Sequence, residues 1–207
     1  MPHIIEFYSG TKVDSFSYSL EEILNFNYTE LEKIHNYIQL MFPTDDTQNI
    51  EKEKPYVAEE EINKFKENSA KGNQLRNNLF NSYIKIMDFY GFDVLKNKKL
   101  RKSENYNVRK NNWISTKNHN YLRLTRIISC LKLLGLEEYA KELFEALKIV
   151  YDENKIVIGQ TTLNFWQQAI DGTLPRVPPK TDIFYNDLKE KLGKISWGAW
   201  QILVCGV

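Results

Sequence analysis

NHNYLRLTRIISCLKLLG, Asn118 to Gly135, is the stretch that sets the fold. Leu124, Ile127, Ile128, Leu131 and Leu134 recur at three- and four-residue intervals, the spacing of one buried helix face. Gly135 is a natural C-terminal stop. The same helix carries His119, Arg123 and Arg126, which packing alone does not need. At about 100° per residue these three fall in a stripe about 60° wide, centred about 110° from the apolar set. The basic stripe therefore borders the buried face, where side chains reach toward a crevice between helices.

Working outward, helical periodicity persists in both directions. Glu137 to Tyr151 is amphipathic, with Tyr139, Leu143, Leu147 and Val150 on one side. Gln74 to Tyr90 repeats Leu75, Leu79, Tyr83, Ile86 and Tyr90 and stops at Gly91. Ala58 to Asn68 reads as a further helix. Ser19 with Glu22 has capping-box spacing and opens a short helix to Phe26; Thr29 with Glu32 repeats the signal and opens a longer one that Pro43 closes. Thr44 to Tyr56 is a polar loop. Phe92 to Lys117, which contains KNKKLRK and NYNVRKNNW, is the least regular stretch and is expected as a long functional connection. Beyond Asn154 the character shifts. Lys155 to Ile158 reads as a short strand, Thr162 to Ile170 and Thr181 to Leu192 as helices. GTLPRVPPK between them is a Pro-rich connector, and an apolar SWGAWQILVCGV ends the sequence. The expectation is a mostly α-helical chain: a single multi-helix domain over residues 1–154 and a short irregular C-terminal extension over 155–207.

Composition bounds the function. An apolar fraction of 42% and an aromatic fraction of 13% argue against disorder, and 207 residues bury a core without staples. The net charge of +1 supplies no bulk field for nucleic acid or an anionic membrane. Lysine outnumbers arginine 22 to 6, so it is informative that three of the six arginines, Arg109, Arg123 and Arg126, fall within eighteen residues. Cys130 and Cys205 sit far apart in apolar surroundings, as buried thiols of a reducing compartment do. No secretory signal is evident and no apolar run approaches the roughly 20 residues of a membrane span. A soluble, intracellular protein is expected, cytoplasmic or nuclear.

The helix before Pro43 has the same layout as the opening stretch. His35 and Gln39 lie on the flank of the face formed by Leu31, Ile34, Ile38 and Phe42. If the two flanks meet, and Arg109 joins from the long connection, imidazoles, an amide and guanidiniums share one pocket. Guanidinium forks suit carboxylate and phosphate, so the pocket is expected to take an anionic small molecule or a peptide carboxylate. A purely structural reading stands beside it. There, His35 and Gln39 bond neighbouring backbone, Arg123 and Arg126 pair with Glu138 or Glu142, and Asn118 is an N-cap.

Four segments also carry a family resemblance. HNYIQLMFP (His35–Pro43), SYIKIMDFYG (Ser82–Gly91), NYNVR (Asn105–Arg109) and HNYLRLTRII (His119–Ile128) resemble, in family order, motifs of the opioid growth factor receptor conserved region. Together they cover about Ser19 to Tyr151. The chain departs from that pattern at Leu40, where the family has tryptophan, and at Met41, Lys52 and Tyr121. The resemblance implies His35, Gln39, Arg109, His119, Asn120, Arg123 and Arg126 as the polar signature. Animal members are implied to bind methionine-enkephalin and restrain proliferation at the nucleus. That activity is not carried to this chain, because a peptide-hormone ligand is a specialised role and the match is to the core alone, the acidic repetitive C-terminal region of the animal receptors being expected to be absent.

The leading reading is a non-enzymatic binding module of that type. The second is an enzyme on a phosphorylated or nucleotide substrate, with His35 or His119 as acid or base. The third is a structural interaction protein, its partner held by the apolar tail. With three histidines, no His-x-x-x-His and no paired cysteines, no metal is expected, and no cofactor is implied. Lys96 to Lys102 reads first as a solvated loop, then as a nucleic-acid or phosphate contact, and last as a nuclear address. Tyr106 and Trp113 nearby suit single-stranded nucleic acid, a partner that the neutral overall charge disfavours.

Overall fold

The computed structural model describes residues 4–11, 18–45 and 56–174. The expected helix Thr181–Leu192, the apolar tail with Cys205, Lys52 and His3 lie outside the described residues, as do most of the Pro-rich connector and most of the Thr44–Tyr56 loop.

Asn120–Leu133 forms the central helix, here α8. Its Leu124, Ile127, Ile128 and Leu131, with Leu134 just beyond, are wholly buried. Gly135 takes the left-handed conformation (φ 88°) that ends the helix, and Leu136 N–H returns to Leu131 O at 2.8 Å. The chain turns into α9 (Glu137–Glu153), which lays Leu143, Leu147 and Val150 against α8. Two further helices follow, α10 (Lys155–Ile158) and α11 (Gln160–Asp171). Lys155–Ile158 is thus helical and not a strand; Asn154 starts the turn, its carbonyl accepting from Val157 and Ile158 at 3.0 Å. α11 packs on both α8 and α9. Its wholly buried Trp166 donates from Nε1 to Tyr121 O at 3.1 Å, and Lys132 Nζ donates to Ile170 O at 2.7 Å. The described start of the segment expected as an extension is therefore continuous with the core.

On the other side stands α6 (Ala70–Tyr90), a 21-residue helix. Ser69 caps it by accepting from Gly72 N–H at 3.0 Å, and Gly91 closes it at φ 89°. α5 (Glu59–Lys66) packs on it, as do α1 (Ile4–Tyr8) and α2 (Leu20–Leu24). Tyr8 Oη donates to Met41 O, which ties the first helix to the core. The capping box of Ser19 and Glu22 is formed as the spacing predicts.

Two further expectations are corrected. The stretch from Thr29 to Phe42 is not one helix but α3 (Tyr28–Lys33) and α4 (Tyr37–Met41), broken at Ile34–Asn36. Nor is Thr29 the cap. Asn27 Oδ1 accepts from Thr29 and Glu30 N–H at 2.9 and 3.0 Å, and Glu30 closes the box on Asn27 N–H at 2.7 Å. Asparagine outranks threonine as an N-cap, and this register leaves Glu32 unused by the helix. Phe92 to Lys117, expected as irregular, is mostly ordered. β1 (Phe92–Val94) pairs antiparallel with β2 (Leu100–Lys102), Asp93 opposite Arg101, and α7 (Tyr106–Trp113) follows. Phe92, Tyr106 and Trp113 bury their rings together and hold this segment on the end of α6.

Candidate functional site

The break between α3 and α4 is where the two polar flanks meet. Asn118 Oδ1 accepts from Asn120 N–H at 2.9 Å and sets the entry to α8, which leaves His119 half-buried at the N-cap and turns Asn120 and Arg123 inward. Arg123 is only 4% exposed. Its Nη1 donates to Leu31 O at 2.8 Å and Asn120 Oδ1 at 3.2 Å; its Nη2 donates to Ile34 O at 3.2 Å and approaches Glu32 O at 3.5 Å. These carbonyls close α3, the negative end of a helix whose last C=O groups lack intrahelical partners. One guanidinium thus answers a helix terminus about ninety residues away in sequence, and the terminus compensates the burial of the charge. Neither Glu138 nor Glu142 takes that role.

Arg123 Nη2 also lies 3.1 Å from His35 Nδ1. A guanidinium only donates, so in this contact Nδ1 stands as the acceptor and Nε2 is left free of it. His35 is exposed and meets His119 edge to face, ring centroids 5.3 Å apart at 89°. His119 Nε2 is buried without a hydrogen bond and sits 3.5 Å from Glu32 Oε1, a charge contact only. Burial first, then the Arg123 charge, lowers the His119 pKa below the usual imidazole value; Glu32 opposes this, and His35 adds to it. Glu32 in turn is steered by Asn120, whose Nδ2 donates to Oε2 at 3.2 Å. Asn120 Oδ1 accepts from Tyr90 Oη at 3.1 Å as well as from Arg123, so the amide is held at both ends.

His35, His119, Asn120 and Arg123 therefore come together, and Glu32 joins them. Sequence reading passed over Glu32 because it looked like a cap partner; the competing box of Asn27 and Glu30 was the signal that frees it. Arg126, one turn along α8, is directed elsewhere. Its Nη1 donates to Thr44 Oγ1 at 3.2 Å and Phe42 O at 3.4 Å, at the end of α4. Gln39 is half-buried on α4 and, among the described residues, its side chain has no hydrogen bond to this cluster. Arg109 sits in a separate clasp: Nε donates to Phe89 O at 3.0 Å, and the guanidinium stacks 3.8 Å over the Tyr28 ring, whose hydroxyl donates to Asp88 at 2.7 Å. Among the described residues no group of three or more His, Cys, Asp or Glu could hold a metal ion, and no helix is long and apolar enough to cross a membrane.

Comparison with known proteins gives one consistent answer. The profile of the opioid growth factor receptor conserved region matches residues 5–200. Over 157 residues, 74% of this chain, the sequence is 30% identical to opioid growth factor receptor-like protein 1 of Xenopus tropicalis, of which it covers 28%. Over 115 residues, 55% of the chain, it is 35% identical to the opioid growth factor receptor of Rattus norvegicus and 34% identical to that of Mus musculus, covering 19% and 17% of those proteins. The chain thus spans less than a third of the length of these relatives. No solved structure matches it.

Proposed function

This chain belongs to the opioid growth factor receptor conserved-region family, and on that premise we propose that it is a receptor-like binding module whose recognition surface is the imidazole pair His35 and His119 above the buried Arg123. The observation that carries this reading is the 3.1 Å contact of Arg123 Nη2 with His35 Nδ1. Because Nδ1 accepts from Arg123, the exposed ring offers an Nε2–H donor on its other edge. A carboxylate oxygen on a small molecule or a peptide suits that donor, and the half-buried Arg126 one turn away adds positive potential. The two imidazoles come from segments 84 residues apart and meet where Arg123 bonds both the end of α3 and His35.

The test is calorimetric titration with short peptides carrying free or amidated C-termini. Binding of the free acid, about tenfold weaker binding of the amide (~1.4 kcal/mol), and loss of binding in His35→Ala with the fold intact are expected. Equal affinity for acid and amide, or an unaffected His35→Ala, would sink the reading. One arrangement favours an enzyme instead. Glu32, steered by Asn120, faces His119 Nε2 as a carboxylate faces a general base. Turnover of a nucleotide or sugar phosphate that vanishes in His119→Gln would establish that second reading.

A further inference from the structure

The net charge of +1 conceals a segregation. Residues 93–117 hold eight basic side chains against Asp93 and Glu104, a net of six positive charges that leaves the rest of the chain at five negative. The structure folds this segment into the β1–β2 hairpin and α7 and leaves most of its cations exposed, Arg109 in its clasp and the half-buried Lys110 over the Tyr106 ring excepted. Lys96, Lys98, Lys99 and Lys117 are exposed and form no ion pair with a described carboxylate. Arg101 and Lys102 each meet one acid, Asp93 and Glu153, at 2.7 Å, and still leave 66% and 38% of their side chains accessible. Exposed asparagines interleave with them: Asn97 at the hairpin tip, and Asn107, Asn111 and Asn112 on α7.

A solvated loop explains exposure but not the backbone. Leu95 and Lys99 close a three-residue turn, with Lys98 N–H donating to Leu95 O and Leu95 N–H to Lys99 O, both at 2.9 Å. Lys98 then sits at φ 69°, the position of such a turn that favours glycine. Lys117, in the loop before α8, has φ 57°. These two lysines are the non-glycine residues with positive φ among those described, and both are exposed members of the basic segment, Lys98 with its Nζ 5.9 Å from the Tyr139 ring centroid. A cation is kept where the backbone would rather have no side chain, which is the kind of local strain that marks a working surface.

We propose that this ridge docks on the phosphodiester backbone of a nucleic-acid duplex. Lysines and amides that follow a convex hairpin suit phosphate and sugar contacts. Unpaired strands are bound by stacking on exposed rings. Here the segment's aromatic residues are internal: Trp113 is wholly buried, and Tyr106 and Phe92 are each 4% exposed. The proposal is independent of the imidazole pair.

Fluorescence anisotropy of the full chain with labelled duplexes, DNA and RNA in separate arms, tests it. Binding at low salt in the range of about 10⁻⁴ to 10⁻⁶ M, with a log–log salt slope of about −4, is expected for some four or five phosphates. Lys96→Gln/Lys98→Gly/Lys99→Gln should weaken binding at least about tenfold and flatten the slope by about 2 to 3. Lys98→Gly alone should weaken it in part while leaving the thermal midpoint unchanged or higher, which separates charge loss from unfolding. Lys64→Gln/Lys66→Gln on α5 should change nothing. Affinity that survives the triple substitution overturns the proposal. So does tighter binding to an unpaired strand, to polyglutamate or to phosphatidylserine vesicles.

Discussion

Two basic regions of this molecule treat their cations in opposite ways. Around α8 the guanidiniums face inward and are answered by the protein itself: Arg123 by the carbonyls that end α3, Arg126 by Thr44 and Phe42. Along the β1–β2 hairpin the lysines face outward, and several meet no acid. The difference is one of residue chemistry as much as of place. A planar guanidinium with five donors can saturate a helix terminus in a dry interior, whereas a strongly hydrated ammonium on a flexible stem keeps its water at the surface. The first region is architecture beneath two imidazoles; the second is a surface of open positive charge.

The strongest way to break that contrast is Arg123→Ala. If the inner region is architectural, the loss of the donors to Leu31 and Ile34 should cost about 3–4 kcal/mol in chemical denaturation. A cost under about 1 kcal/mol would mean that the guanidinium is not what holds the end of α3. Gly91→Ala probes the seam between the regions. Its φ of 89° and a Cβ placed 2.9 Å from Tyr106 Cα predict a loss of about 2–3 kcal/mol and a displaced hairpin, read by denaturation and by amide exchange in α7. Lys98→Gly should act in the opposite direction, with a gain of about 1 kcal/mol in stability, since glycine adopts positive φ without strain. The smallest effect is that of pH. The folded pKa of His119 is lowered, so in the window between that value and about 6.5 the unfolded chain binds more protons. Stability is then fully present above about 6.5 and falls as pH drops through the folded pKa, a slope that His119→Gln should flatten in thermal melts across pH.

Local rules carried most of the fold. The apolar spacing of α8 and α9, the stop at Gly91 and the box of Ser19 with Glu22 each need only neighbours in sequence, and each is formed. The reading failed where a distant residue decides. Nothing near Ile34 says that the helix should end there; the donors that satisfy its last turn come from Arg123. The hairpin was invisible for a similar reason. Val94 and Leu100 are only partly buried, and a lysine occupies the turn position where glycine would have announced it. Of the polar signature, His119, Arg123 and Arg126 were legible as a stripe because helix geometry fixes it. Their destinations were not, since a border position reaches toward either a crevice or a backbone, and only the packed neighbour decides between them.

The docking of Trp166 on α8 has a practical corollary for anyone preparing the protein. A fragment trimmed at Asn154, where the composition shifts, would strip the indole from the Tyr121 carbonyl and wet one flank of the central helix. The imidazole-bearing end of α8 would then fray first, and a loss caused by that fraying would be mistaken for the effect of a substitution near His119. Experimental boundaries belong beyond Gly172.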